Sequence, residues 1–113
     1  MPLFAAIALD TGTDSLERRA AHRDAHRAYV WGNDAPIRLV GPFLDDDGNQ
    51  SGSFYIFEAE SADEVHAWLD AEPFAREGVY GQIIVRRFET GLNRIAEQDW
   101  PVPPEARTTG TAT

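Results

Sequence analysis

The sequence has no cysteine and no lysine, a single methionine, and no apolar run near the roughly 20 residues that a membrane span needs. The first absence rules out disulfides, thiolate chemistry and cysteine-ligated zinc. The missing long run, with an N-terminus that carries neither a basic start nor an apolar leader, points to a soluble, cytoplasmic protein with no membrane partner. Positive charge is scarce too: ten arginines stand against 19 Asp and Glu residues, for a formal net charge of −9. So acidic a chain is a poor ligand for DNA or RNA, and no nucleic-acid partner is expected. There is no glycine-rich phosphate loop and no internal repeat.

What is present suffices for one core. At 113 residues the chain reads as a single folded domain over residues 1–90, followed by a C-terminal arm over 91–113. In the arm, Leu92, Ile95 and Trp100 suit a short helix or a packing strap. From about residue 104, past Pro101-Val102-Pro103-Pro104, the chain is small and polar and reads as disordered.

Asp14 to Asn33 reads as one long helix. Asp14 serves as its N-cap, with Glu17 placed to reach back to it. The 100° periodicity puts Leu16, Ala20, Val30 and Trp31 on a stripe expected to face the core, with Arg23 and Arg27 on that stripe too. A guanidinium is costly to desolvate alone, so these arginines snorkel, find an acidic partner or meet an anionic ligand. Before the helix, Pro2 to Asp10 alternates Leu3, Ala5, Ile7 and Leu9 with Phe4, Ala6 and Ala8, a strand expected to be buried on both faces. Ile37 to Phe43 reads as a second strand, placed at a sheet edge by Pro42, which lacks a donor. Asp45 to Asn49 is a hairpin tip whose acidic run lacks the glycine and glutamate spacing of a calcium loop. Ser53 to Glu60 is a third strand, apolar on both faces through Phe54 with Ile56 and Tyr55 with Phe57. Ser61 and Glu64 box the start of a second helix that buries Val65, Trp68 and Leu69. Pro73 ends it, and Asp70 to Phe74 forms an exit loop. Val79 to Phe88 is the fourth strand, with Val79, Ile83 and Val85 opposite Tyr80 and Ile84.

With right-handed crossovers this βαββαβ order predicts an α+β, ferredoxin-like domain, a four-stranded antiparallel sheet with both helices on one face. The uncovered face is apolar as well, which predicts a homodimer.

A histidine beside a carboxylate is the simplest general acid-base device, because the carboxylate selects the imidazole tautomer and stabilises its charged form. His26 on the first helix and Asp70 or Glu72 at the end of the second are the candidates, since the fold lays the two helices side by side. The competing reading is a helix-flank histidine with one hydrogen bond and a solvated Glu72. His22 and His26 are spaced i and i+4, but there is no HExxH pattern and no third ligand nearby, so no metal is expected. His66 reads as exposed or capping. Ser51 and Ser53 lack a nucleophile-elbow context. No cofactor is called for.

Several short motifs recur together in order: Asp14-Ser15-Leu16-Glu17-Arg18-Arg19 opening the helix, Arg23-Asp24-Ala25-His26 within it, Gly41-Pro42 after the second strand, and Asp70-Ala71-Glu72-Pro73-Phe74 followed by Gly78-Val79-Tyr80. In these the chain resembles the YciI-like (YCII-related) proteins over about residues 3 to 89. The resemblance implies a dimeric α/β-barrel assembly of ferredoxin-like subunits, similar in architecture to muconolactone isomerase. It also implies a site built on His26 with an acidic residue of the Asp-Pro-aromatic motif. One branch of the family includes a dehydrochlorinase acting on a chlorinated hydroxyhydroquinone. Glu72 stands where the family usually has Asp, one methylene shorter, and Asp70 could substitute. Arg23 matches a family arginine. The expected protein is therefore a cofactor-independent acid-base enzyme of elimination or isomerisation type. Its substrate is a small polar or aromatic, anionic molecule, with His26 as base or acid, Glu72 or Asp70 orienting it, Arg23 holding the anion, and Phe74 and Tyr80 lining the pocket. The alternative is a non-catalytic dimer that binds a metabolite or serves as an accessory protein.

Overall fold

A computed structural model of the protein describes residues 1–95. Four strands, β1 (Leu3–Asp10), β2 (Ile37–Leu44), β3 (Gln50–Glu58) and β4 (Tyr80–Phe88), form one antiparallel sheet in the order β2-β3-β1-β4. Helix α1 (Ser15–Gly32) connects β1 to β2, and α2 (Ala62–Asp70) with the single turn α3 (Pro73–Arg76) connects β3 to β4. This is the βαββαβ, ferredoxin-like order, with β2 and its Pro42 at an edge. Leu92 and Ile95 of the predicted arm are exposed. Trp100 and the tail after residue 104 lie outside the described residues.

The strands form because apolar side chains recur on both of their faces. Phe4 and Ala6 of β1, Tyr55 and Phe57 of β3 and Val85 of β4 meet Val65 and Leu69 of α2 in the main core. Ala8, Phe74, Val79 and Tyr80 make a smaller cluster beneath α3. Helix α2 starts at the expected cap, where the Ser61 hydroxyl accepts from the Glu64 amide at 3.3 Å; the Glu64 carboxylate reaches one residue past the amide a capping box would use and accepts from the Glu60 amide at 3.1 Å. At the other end of this helix, Pro73 does more than stop it. With φ preset by its ring it opens α3, and the expected exit loop is a helical turn capped by Glu72.

Three further expectations are corrected. Helix α1 departs from its predicted face in its first half: Leu16 is 48 % exposed and Ala20 is exposed, whereas Arg19 is buried; further along, Val30 is buried as its place on the stripe predicts. Its cap position is Asp14, but Asp14 lies at φ 63°, in the left-handed region, and its side chain makes no capping bond. Side-chain capping requires extended backbone at that residue, so the box with Glu17 cannot close. Tyr80 is on the helix side of the sheet with Ile83 and Val85, not opposite them. The pairing shifts from Leu9↔Gln82 to Asp10↔Tyr80, leaving Gly81 as the extra residue of a bulge that inverts the alternation.

Candidate active site

The inward face of α1 carries Arg19, Arg23 and His26, spaced i, i+4 and i+7 and therefore on one side of the helix. Apolar burial holds the far end of α1, through Val30 and the Tyr29–Trp68 ring contact, but not this polar stretch. It is held by two acidic anchors, Asp10 at the end of β1 and Glu72 at the start of α3.

Glu72 precedes a proline, which favours extended backbone at that position, and its φ and ψ are −76° and 131°. From there its side chain folds over the start of α3. Oε1 accepts the Phe74 amide at 3.0 Å and contacts His26 Nδ1 at 2.5 Å. The carboxylate is completely buried, while the His26 side chain is 18 % exposed. His26 also lies flat on Phe74, with ring centroids 3.9 Å apart and planes 5° from parallel. Stacking and hydrogen bond together leave the ring a single orientation. A carboxylate can only accept, so Nδ1 carries the proton, and Nε2, unbonded among the described residues, is available to take or give one. Oε2 of Glu72 is buried with no partner among the described residues.

Arg19 forms the second anchor. Its guanidinium donates to both Asp10 oxygens at 2.6 and 3.0 Å, to the Gly52 carbonyl at 3.0 Å and to the Gln50 side chain at 3.3 Å. Both charged side chains are 3 % exposed, and the guanidinium carbon is 4.9 Å from the centroid of the Phe74 ring. The Gly52 backbone runs tightly against β1, where a Cβ would fall 2.5 Å from the Ala8 carbonyl oxygen. Only glycine allows that approach.

Between the anchors lies a row of buried hydroxyls. Tyr80 donates to Ser53 Oγ at 2.8 Å, and its oxygen is 3.0 Å from the Tyr55 hydroxyl. Burial, followed by the Glu72 charge, pushes the Tyr80 hydroxyl far above its ordinary range, against the opposing pull of its hydrogen bonds and Arg19. Tyr55 is raised by burial, by Tyr80 and by Glu72. Tyr29, which donates to the Trp68 carbonyl at 2.7 Å, is raised by burial and then by Glu72.

Of the residues singled out in the sequence, the structure brings together His26, Glu72, Phe74 and Tyr80, the last packed edge-on against Phe74 at 5.8 Å. Arg23 is half-buried on the same helix face and has no hydrogen bond or ion pair among the described residues. Asp70 is exposed and does not reach His26. His22 comes within 4.0 Å of Glu77 at the surface, and His66 is exposed. No group of three metal-ligating side chains occurs among the described residues. Sequence reasoning missed Arg19, Asp10, Ser53 and Tyr55 as parts of the site. One signal was available for Arg19: it stands two helical turns before His26, on the same face.

The molecule is thus a ferredoxin-like domain that pairs a buried carboxylate with a partly exposed histidine on the inward face of α1. Residues 3–89 match the YCII-related domain, and the chain belongs to that family. It is 34 % identical over 84 residues to Protein YciI of Escherichia coli O6:H1 (strain CFT073), covering 67 % of this chain and 86 % of that one. An uncharacterized protein of Haemophilus influenzae is 30 % identical over 84 residues, with the same coverage. Among solved structures it is similar to 5-chloro-2-hydroxyhydroquinone dehydrochlorinase (TftG) from Burkholderia phenoliruptrix AC1100, in complex with 2,5-dihydroxybenzoquinone. That match has a TM-score of 0.70 and 36 % identity, and covers 79 % of this chain and 95 % of that one.

Proposed function

We propose that this protein catalyses cofactor-independent proton transfer, of elimination or isomerisation type, on a small polar or aromatic molecule that carries negative charge. The observation that carries this reading is the His26–Glu72 contact: a buried carboxylate orients an imidazole whose second nitrogen has no bond among the described residues. His26 Nε2 removes a proton from the substrate. The imidazolium that forms is stabilised by Glu72 at Nδ1, and it returns the proton to a leaving group or to a second carbon. Arg23, a half-buried guanidinium without a partner among the described residues, attracts the substrate's negative charge. Phe74 backs the imidazole. The similarity to a dehydrochlorinase supports elimination as the first reaction to assay. His26→Ala is expected to lower turnover of an identified substrate by about 10²–10⁴-fold, the usual contribution of a general base. Turnover unchanged in that variant would rule this role out.

The reading includes a homodimer joined through the sheet face opposite the helices, where Leu3, Ile7, Leu9, Phe54, Ile84 and Phe88 share one side by register. Leu9 and Phe88 are 38 % and 39 % exposed. A second copy offers the same apolar surface and covers it symmetrically. Light scattering at micromolar concentration should give twice the chain mass, and a monomer would contradict the assembly.

A further inference from the structure

A helix ends with carbonyls that have no backbone partner, and a basic residue in the last turn is one remedy. Neither α1 nor α2 has a basic residue in its last turn. Each helix end is instead served by the other. The Trp68 carbonyl, in the last turn of α2, would accept the Glu72 amide if the helix ran on, but that amide bonds the Leu69 carbonyl at 3.0 Å. The Tyr29 hydroxyl takes the vacated place, donating to the Trp68 carbonyl at 2.7 Å. In return the Trp68 indole donates to the carbonyl of Asn33, the C-cap of α1, at 2.9 Å. The Asn33 side chain closes the circuit by donating to the Tyr29 carbonyl at 2.8 Å. Packing leaves the joint little slack. The Tyr29 and Trp68 rings meet edge-on at 4.8 Å, and Trp68 is also edge-on to Tyr55 and Phe57 of the core, at 5.5 and 5.0 Å.

We propose that Tyr29 and Trp68 are positioning residues for the His26–Glu72 pair: by capping each other's helix ends they fix how α1 meets α2 and where α2 stops, and so bring Glu72 Oε1 to His26 Nδ1. Tyr29 stands three residues after His26, and Trp68 four before Glu72, so the circuit lies about one helical turn from each partner. Glu72 is also bound to the joint through its own amide. Without the Tyr29 hydroxyl, the Trp68 carbonyl loses its donor, and the nearest one along the chain is the Glu72 amide. Capture of that amide carries the carboxylate away from its present place. A hydrogen bond weakens steeply with distance and misalignment, so a small movement at the joint is felt at Nδ1. The inference rests on the proposed function in taking the His26–Glu72 contact as the acid-base device, and adds what sets its geometry.

The test is ¹⁵N NMR of the full chain with labelled histidine, reading the tautomer of neutral His26 in wild type and variants. Tyr29→Phe keeps the ring and removes the hydroxyl; Trp68→Phe keeps an aromatic ring and removes the indole N–H. Both should shift His26 from the Nδ1–H form toward Nε2–H. Val85→Ala, a cavity in β4 of the main core, should lower the urea midpoint yet leave the tautomer as in wild type, which separates positioning from stability. Tyr29→Phe, the milder change, decides alone should Trp68→Phe not fold. A tautomer unchanged in Tyr29→Phe, or shifted as far by Val85→Ala, overturns the proposal. Turnover is not read in this experiment, so its failure is distinct from that of the His26 role, which the His26→Ala assay decides.

Discussion

One oxygen atom, Glu72 Oε1, does two things: it caps α3 through the Phe74 amide and it holds the imidazole of His26. The family's usual Asp would reach one methylene less far. The expected consequence is a tautomer. Neutral His26 should carry its proton on Nδ1, the form less favoured for free imidazole, and ¹⁵N chemical shifts of labelled histidine report it directly. In Glu72→Gln the side-chain oxygen can still accept from Phe74, but an amide has neither the charge nor the second lone-pair-bearing oxygen of the carboxylate. The Nδ1–H form should then lose population. A wild-type protein that shows the Nε2–H form would contradict the geometry from which the acid-base role is argued.

At the scale of elements, α1 is unusual in how it is attached. Arg19 and Val30 are its buried residues, and Arg19 is tied to the end of β1 and the start of β3 by an ion pair and a carbonyl. Here polar side chains, Arg19 and His26, take the place of an apolar seam and are bonded to Asp10 and Glu72. The anchor also makes α1 sensitive to a single change. Asp10→Ala strands a buried guanidinium and should cost about 3–5 kcal/mol in urea unfolding. The double variant Asp10→Ala with Arg19→Met removes the stranded charge and should be the more stable of the two. If the single variant were as stable as wild type, the ion pair would not be what holds α1 in place.

For the whole molecule, the buried tyrosines set an alkaline limit. Burial raises the hydroxyls of Tyr55, Tyr80 and Tyr29 above the ordinary value of 10.0, so above that pH the unfolded chain loses protons that the native state keeps. Their contribution to stability is therefore fully present below about pH 10 and falls as pH rises beyond it. Tyrosinate absorbance should show ionisation delayed in the native protein and completed on unfolding. Tyr80→Phe should make the alkaline decline in unfolding free energy shallower. Ionisation of Tyr55 and Tyr80 near pH 10 with the fold intact would contradict their burial.

The order of elements, the α+β class, the apolar character of both sheet faces and the start of α2 at Ser61 were legible in the sequence alone. Each of these follows from local periodicity or from capping within four residues, interactions that do not depend on the rest of the fold. His26 with an acidic partner was legible from topology and family resemblance, but Asp70 and Glu72 were not separable, because the deciding contact spans 46 positions. Which face the first half of α1 turns inward depends on contacts distant in sequence. In a helix this polar, periodicity ranks Leu16 above Arg19, and the ion pair to Asp10 overrides it. The bulge at Gly81 is likewise set by pairing with β1, and it alone carries Tyr80 to the side where its hydroxyl meets Ser53 and Tyr55.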